Sequence, residues 1–101
     1  MQETGKLIRK MDAKTGISEV SGKAWVNQEF VIETMGSYPK KVAFQVSGEE
    51  RVQALQNVSI GAGVRVTFYA ESTESKDKTT YFTKLRCTQI DVFTSTFPKI
   101  N

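Results

Sequence analysis

Aromatic and cationic residues recur together along this chain. Lys23 is followed by Trp25, Tyr38 by Lys40 and Lys41, Arg65 by Tyr69, and Phe82 by Lys84 and Arg86. Flat aromatic faces stack on nucleobases, at about 1–3 kcal/mol per base, while neighbouring Lys and Arg meet phosphates. Each grouping also has a plainer reading. Trp25 could cover one end of the fold or an oligomer contact, since Trp commonly serves packing. Lys40 and Lys41 could form a solvated strand edge, where Lys deters aggregation. Arg65 and Tyr69 suit a protomer interface, where both types are enriched. Phe82 could belong to the core, leaving Tyr81 exposed. Lys76 and Lys78 fall in a polar loop whose tip could contact a ligand or be merely solvated.

Other chemistries find little support. The 101 residues include no His and a single Cys, Cys87. The commonest general base and metal ligand is therefore missing, and no zinc-site spacing exists. On a strand, Glu29 and Glu33 would share a face about 13 Å apart. Glycosidase carboxylate pairs need roughly 5–9.5 Å. Glu49 and Glu50 are adjacent, and on a helix they would not face each other. Cys87 falls on an inward strand face without a His partner, so it reads as a small buried apolar residue. No Gly-rich segment matches a phosphate loop. The expectation is a non-enzyme with no metal and no cofactor.

The positioning elements follow from period-2 alternation, the mark of a half-buried strand. Residues 25–46 hold two such runs, split by Gly36-Ser37-Tyr38-Pro39. Phe30 and Ile32 point inward in the first run, with Trp25, Glu29 and Glu33 opposite. Val42, Phe44 and Val46 point inward in the second, with Lys41, Ala43 and Gln45 opposite. An earlier strand spans residues 4–11, with Leu7 and Met11 on one face and Lys6, Ile8 and Lys10 on the other. Gly5 permits a bend or close approach near its start. Residues 12–22 read as a loop rich in Gly, Ser, Thr and charge, long enough to serve in binding. Ser47 and Glu50 have capping-box spacing. A short helix follows over residues 49–56, packing through Val52, Leu55 and Ala54. Strand four covers residues 64–72, with Val64, Val66, Phe68 and Ala70 opposite Arg65, Thr67, Tyr69 and Glu71. Strand five covers residues 80–93. Leu85 and Cys87 share a parity that Ile90 breaks, which points to a bulge. Five strands with a helix between the third and fourth is the layout of an OB-fold barrel. The chain reads as one domain, residues 1–101, with an ordered core over about 4–93 and a tail over 94–101.

Composition narrows the partner. Apolar residues make up 39% and charged residues 25%, as in folded proteins, and the net charge is +3. No apolar run nears the roughly 18 residues that span a bilayer, and the first ten residues lack a signal-peptide core. A cytoplasmic, non-membrane protein is expected. A charge of +3 permits anion binding but gives little non-specific affinity. Neutralising about three single-strand phosphates implies a salt slope near −2, roughly a 20-fold loss between about 50 and 200 mM salt. Tight binding would need stacking, or several protomers acting together.

Ser21-Gly22-Lys23-x-Trp25, Gln28-Glu29-Phe30-Val31-Ile32-Glu33-Thr34 and Tyr38-Pro39-Lys40-Lys41-Val42 resemble a small, uncharacterised bacterial and phage family of OB-fold proteins. That family is similar to the single-stranded DNA-binding proteins. Ile60-Gly61-x-Gly63-x-Arg65-Val66 also resembles the start of strand four in those domains. The similarity runs over roughly residues 4–90. It implies a five-stranded OB-fold that binds single-stranded DNA, or RNA, with little sequence specificity. Two features depart from the pattern. The chain ends in Phe97-Pro98-Lys99-Ile100-Asn101 rather than an acidic tail, and Glu29 and Glu33 would repel phosphate. Lys23, Trp25, Tyr38, Lys41, Arg65, Tyr69, Phe82, Lys84 and Arg86 are the candidate nucleic-acid contacts, presented by a homodimer or homotetramer. The alternative is an OB-fold module for protein–protein assembly that binds no nucleic acid.

Overall fold

A computed structural model describes residues 1–94. Its elements are β1 (Gln2–Lys10), β2 (Lys14–Ile17), β3 (Ala24–Thr34), β4 (Lys41–Ser47), α1 (Glu49–Gln56), β5 (Gly63–Glu74) and β6 (Tyr81–Thr94). Thr94, the first residue of the expected tail, still pairs with Gly63 in β6. Residues 95–101 lie outside the described residues.

The strands form one sheet in the order β1-β5-β6-β4-β3-β2, and β1 also pairs with β3. That pairing closes five strands into a barrel, the expected OB-fold. Closure depends on Gly5, which sits between Thr34 of β3 and Val64 of β5. A Cβ at Gly5 would collide with the backbone carbonyl of Glu33. Only a residue without a side chain lets three strands converge there.

The alternation places the core as expected. Phe30, Ile32, Phe44, Val46, Val64 and Val66 are buried, joined by Leu7, Val52, Leu55, Val58, Ala62 and Cys87. Phe44 stacks on Phe30 at a centroid distance of 5.5 Å and meets Phe68 edge-on at 4.9 Å. The bulge foreseen in the last strand lies at Thr88, where the register steps from Thr67–Gln89 to Phe68–Cys87.

Four expectations need correction. Residues 12–22 are not all loop. Lys14–Ile17 forms β2, which pairs antiparallel with residues 24–27 of β3. This strand draws its hydrogen bonds from β3 and has almost no apolar pattern of its own. Second, a bulge at Ile8 breaks β1, with Leu7 opposite Ile32 and Arg9 opposite Val31. The parity therefore flips, and Lys10, not Met11, turns toward the barrel end opposite Phe30. Third, Ser47 does not cap α1. It remains in β4 opposite Asn27. Gly48 is the N-cap at φ 98°, without a side-chain cap. That left-handed turn suits glycine, and the Gly48 N–H donates to the Val26 carbonyl at 3.0 Å. Fourth, α1 buries Val52 and Leu55 but leaves Ala54 exposed.

The last turn of α1 carries no basic residue of its own. Lys10 supplies the cation from β1. Its Nζ donates to the carbonyls of Val58 at 2.6 Å, and of Leu55 and Gln56 at 3.4 Å. A positive charge there satisfies orphan carbonyls and complements the negative end of the helix. Gln28, 4% exposed, ties the same region together. Its amide donates to the Met11 carbonyl at 2.6 Å and accepts from Gln56 at 2.8 Å.

Candidate functional site

The register of β2, β3, β4, β6 and β5 lays out one outer face in rows. Lys14, Asn27 and Ser47 form one row. Glu29, Gln45, Arg86 and Tyr69 form the next. Adjacent strands lie about 4.8 Å apart, so this second row spans about 14 Å. Gly16 and Trp25 oppose each other beside the first row.

Trp25 is 43% exposed. Its indole lies over Gly16, where an added Cβ would sit less than 3.0 Å from three ring atoms. An aromatic residue covering an edge glycine is a recognised way to hold an edge strand in place. The ring borders a shallow depression of about 760 Å³ that also touches Thr15, Asn27, Ser47 and Glu49. Ser47 also borders a smaller one of about 230 Å³, formed with Gln45, Arg51, Tyr69, Glu71 and Arg86. The two depressions adjoin at Ser47, and together they line a path over this face from Trp25 to Tyr69, which is 49% exposed.

Arg86 stands at the seam where β4 and β6 run parallel. Its Nη1 donates to Gln45 Oε1 at 3.2 Å, and its Nε pairs with Glu71 Oε2 at 2.8 Å. Lys84 lies opposite Glu71 and Phe82 opposite Thr73. Register is regular from Tyr81 to Cys87, so Phe82, Lys84 and Arg86 do share one face. Both Tyr81 and Phe82 are exposed, 66% and 59%.

The remaining candidates lie elsewhere. Lys23 is in the β2–β3 turn, its carbonyl accepting from Ser18 N–H at 2.9 Å, two residues before Trp25. Tyr38, 86% exposed, is in the turn between β3 and β4. Lys41 opens β4 opposite Glu33. By strand rise that is about 26 Å from Trp25. Arg65 lies between Thr4 of β1 and Asp91 of β6, four residues and so about 13 Å along β5 from Tyr69. The fold thus groups Trp25 and Tyr69 with Arg86, Lys84 and Phe82, leaves Arg65 farther along β5 beside β1, and separates Tyr38 and Lys41 from them.

Several residues on the path escape sequence reasoning. Lys14 falls in what reads as a loop, and Ser47 in what reads as a cap. Gln45 was visible as an outward residue of β4. Arg51 offered a signal too, one turn into a helix that follows the ribbon directly. Cys87 is buried beneath the face, and burial pushes its thiol up to about 11. It is protonated at neutral pH and so a poor nucleophile.

Residues 3–91 match a domain of unknown function, DUF3127. The chain belongs to the DUF3127 family. No curated protein matches it. Among solved structures, this DUF3127 chain is similar to Rim1, a mitochondrial single-stranded DNA-binding protein of S. cerevisiae. One crystal form has a TM-score of 0.67 at 16% identity, covering 93% of this chain and 94% of Rim1. A selenomethionine-labelled second form has a TM-score of 0.61 at 15% identity, covering 93% of each chain. At that identity the likeness establishes the OB-fold.

Proposed function

We propose that this DUF3127 chain binds single-stranded DNA, with little sequence preference, across the outer face of β3, β4, β6 and β5. The observation that carries this reading is the pair of depressions, adjoining at Ser47, that lead from Trp25 past Gln45 to Arg86 and Tyr69. It offers an aromatic platform at each end and hydrogen-bonding groups between, the arrangement that single strands need. The fold shared with Rim1 adds weight. Bases stack on Trp25 and Tyr69, with Phe82 extending the surface along the β5–β6 arm. Lys84, Arg86 and Lys23 meet phosphates. Tyr38, Lys41 and Arg65 have at most an outlying role. With a charge of +3 per chain, a homodimer or homotetramer lengthens the basic path.

Exposed Ile17 and Val20, 71% and 98%, favour a second reading, a protein-assembly module working through the β2–β3 hairpin. Titration with oligo-dT separates the two, following the fluorescence of the single tryptophan. DNA binding quenches Trp25 and weakens with salt at a slope of about −2 per protomer. Absence of both quenching and a mobility shift at tens of micromolar protein rules the DNA reading out. An apolar protein contact would be nearly insensitive to salt.

A further inference from the structure

Arg86 is the cation at the centre of the path, yet its charge is already answered. Glu71 Oε2 lies 2.8 Å from its Nε, and Gln45 Oε1 accepts from Nη1 at 3.2 Å. The guanidinium's other N–H donors remain for a ligand. A phosphate reaching them must approach the Glu71 carboxylate or displace it. We infer that Glu71 is an internal competitor for Arg86, which sets how strongly this face holds a polyanion. This inference rests on the single-strand reading above.

The geometry makes the competition specific. Glu71 lies on the same outer face of β5 as Tyr69, diagonal to Arg86 and opposite Lys84. It therefore offsets the two cations that the arm places beside Tyr69. The pair is partly exposed, 33% for Arg86 and 46% for Glu71. Such pairs are weak, so a ligand that presents several phosphates at once can outbid the carboxylate where a lone anion does not. Gln45 keeps Arg86 on the seam during the exchange.

The test is a double-mutant cycle in oligo-dT binding. Glu71→Gln preserves side-chain size and an acceptor for Arg86 while removing the charge. It should bind oligo-dT about two- to fivefold more tightly than the unaltered chain, the scale of an exposed ion pair. Its salt slope should steepen by about 0.7, one further phosphate contact. Glu74→Gln is the control for net charge. Glu74 lies on the same strand but pairs with Tyr81 on the opposite face, so its gain should stay below about twofold. In an Arg86→Gln background, checked for an intact fold by its melting temperature, the Glu71→Gln gain should vanish. A Glu71→Gln gain no larger than that of Glu74→Gln overturns the inference, as does a gain that survives in Arg86→Gln. Binding by the unaltered chain in those cases leaves the single-strand reading standing. Failure of every variant to bind oligo-dT overturns both.

Discussion

The contact between Trp25 and Gly16 permits a sharp perturbation of the site. In Gly16→Ala, the new Cβ would lie within 3.0 Å of indole atoms Cζ2, Cε2 and Nε1. Ordinary van der Waals contact begins near 3.4 Å, so the ring must move by about 1 Å or swing away. The backbone imposes no barrier, since Ala suits a strand better than Gly by about 0.5–1 kcal/mol. That gain offsets the lost indole packing, and the melting temperature should change by only a few degrees. The consequence falls on the site. Stacking on one aromatic is worth about 1–3 kcal/mol, and partial displacement forfeits the lower end, about a fivefold loss of oligo-dT affinity. Gly16→Val should approach the loss seen for Trp25→Ala. The assay needs no label, because Trp25 is the only tryptophan. Its emission should shift in the free protein, and its quenching by oligo-dT should shrink. Unchanged emission and affinity in both variants would refute the argument that Gly16 positions the indole. A shifted emission with unchanged affinity would refute the stacking role of Trp25.

Two further predictions concern the scaffold. Lys10→Met keeps the aliphatic stem but removes the cation from the end of α1. Hydrogen bonds to a charged group and the favourable helix-end charge together suggest a loss of about 2 kcal/mol, or about 8–16 °C in melting temperature. A fall of under about 3 °C would show that water replaces the ammonium. Cys87 has its thiol raised from 9.0 to about 11 by burial. The folded state therefore holds this proton more tightly than the unfolded chain. Its stability should be independent of this group below pH 9.0 and decline as pH rises from there toward about 11. Urea midpoints on either side of that window test the sign. Rapid alkylation of the native protein near pH 8, at the rate of the urea-unfolded chain, would contradict the burial.

How far the sequence was legible depended on whether a signal was local. Phe30, Ile32, Phe44, Val46, Val64 and Val66 alternate cleanly, so their burial needed no tertiary information. The bulge at Thr88 showed itself because Leu85 and Cys87 clash in parity with Ile90. The bulge at Ile8 stayed hidden because Leu7 and Met11 kept an apparently regular spacing. β2 is not legible in the sequence, since a four-residue, mostly polar edge strand exists only through its partner. Ser47 offered two legitimate roles, and strand pairing with Asn27 prevailed over capping.

By itself the sequence determined the barrel and the kinds of side chain on its surface, because alternation and composition act within a few residues. It did not determine which of those side chains meet. Trp25 and Tyr69 are 44 positions apart, and only the β4–β6 seam at Gln45 and Arg86 brings their strands onto one face. The same closure separates Lys41 and Arg65 from Trp25 and sets Glu71 against Arg86. Register across non-neighbouring strands fixes such meetings, and a one-residue slip would reassign every one of them.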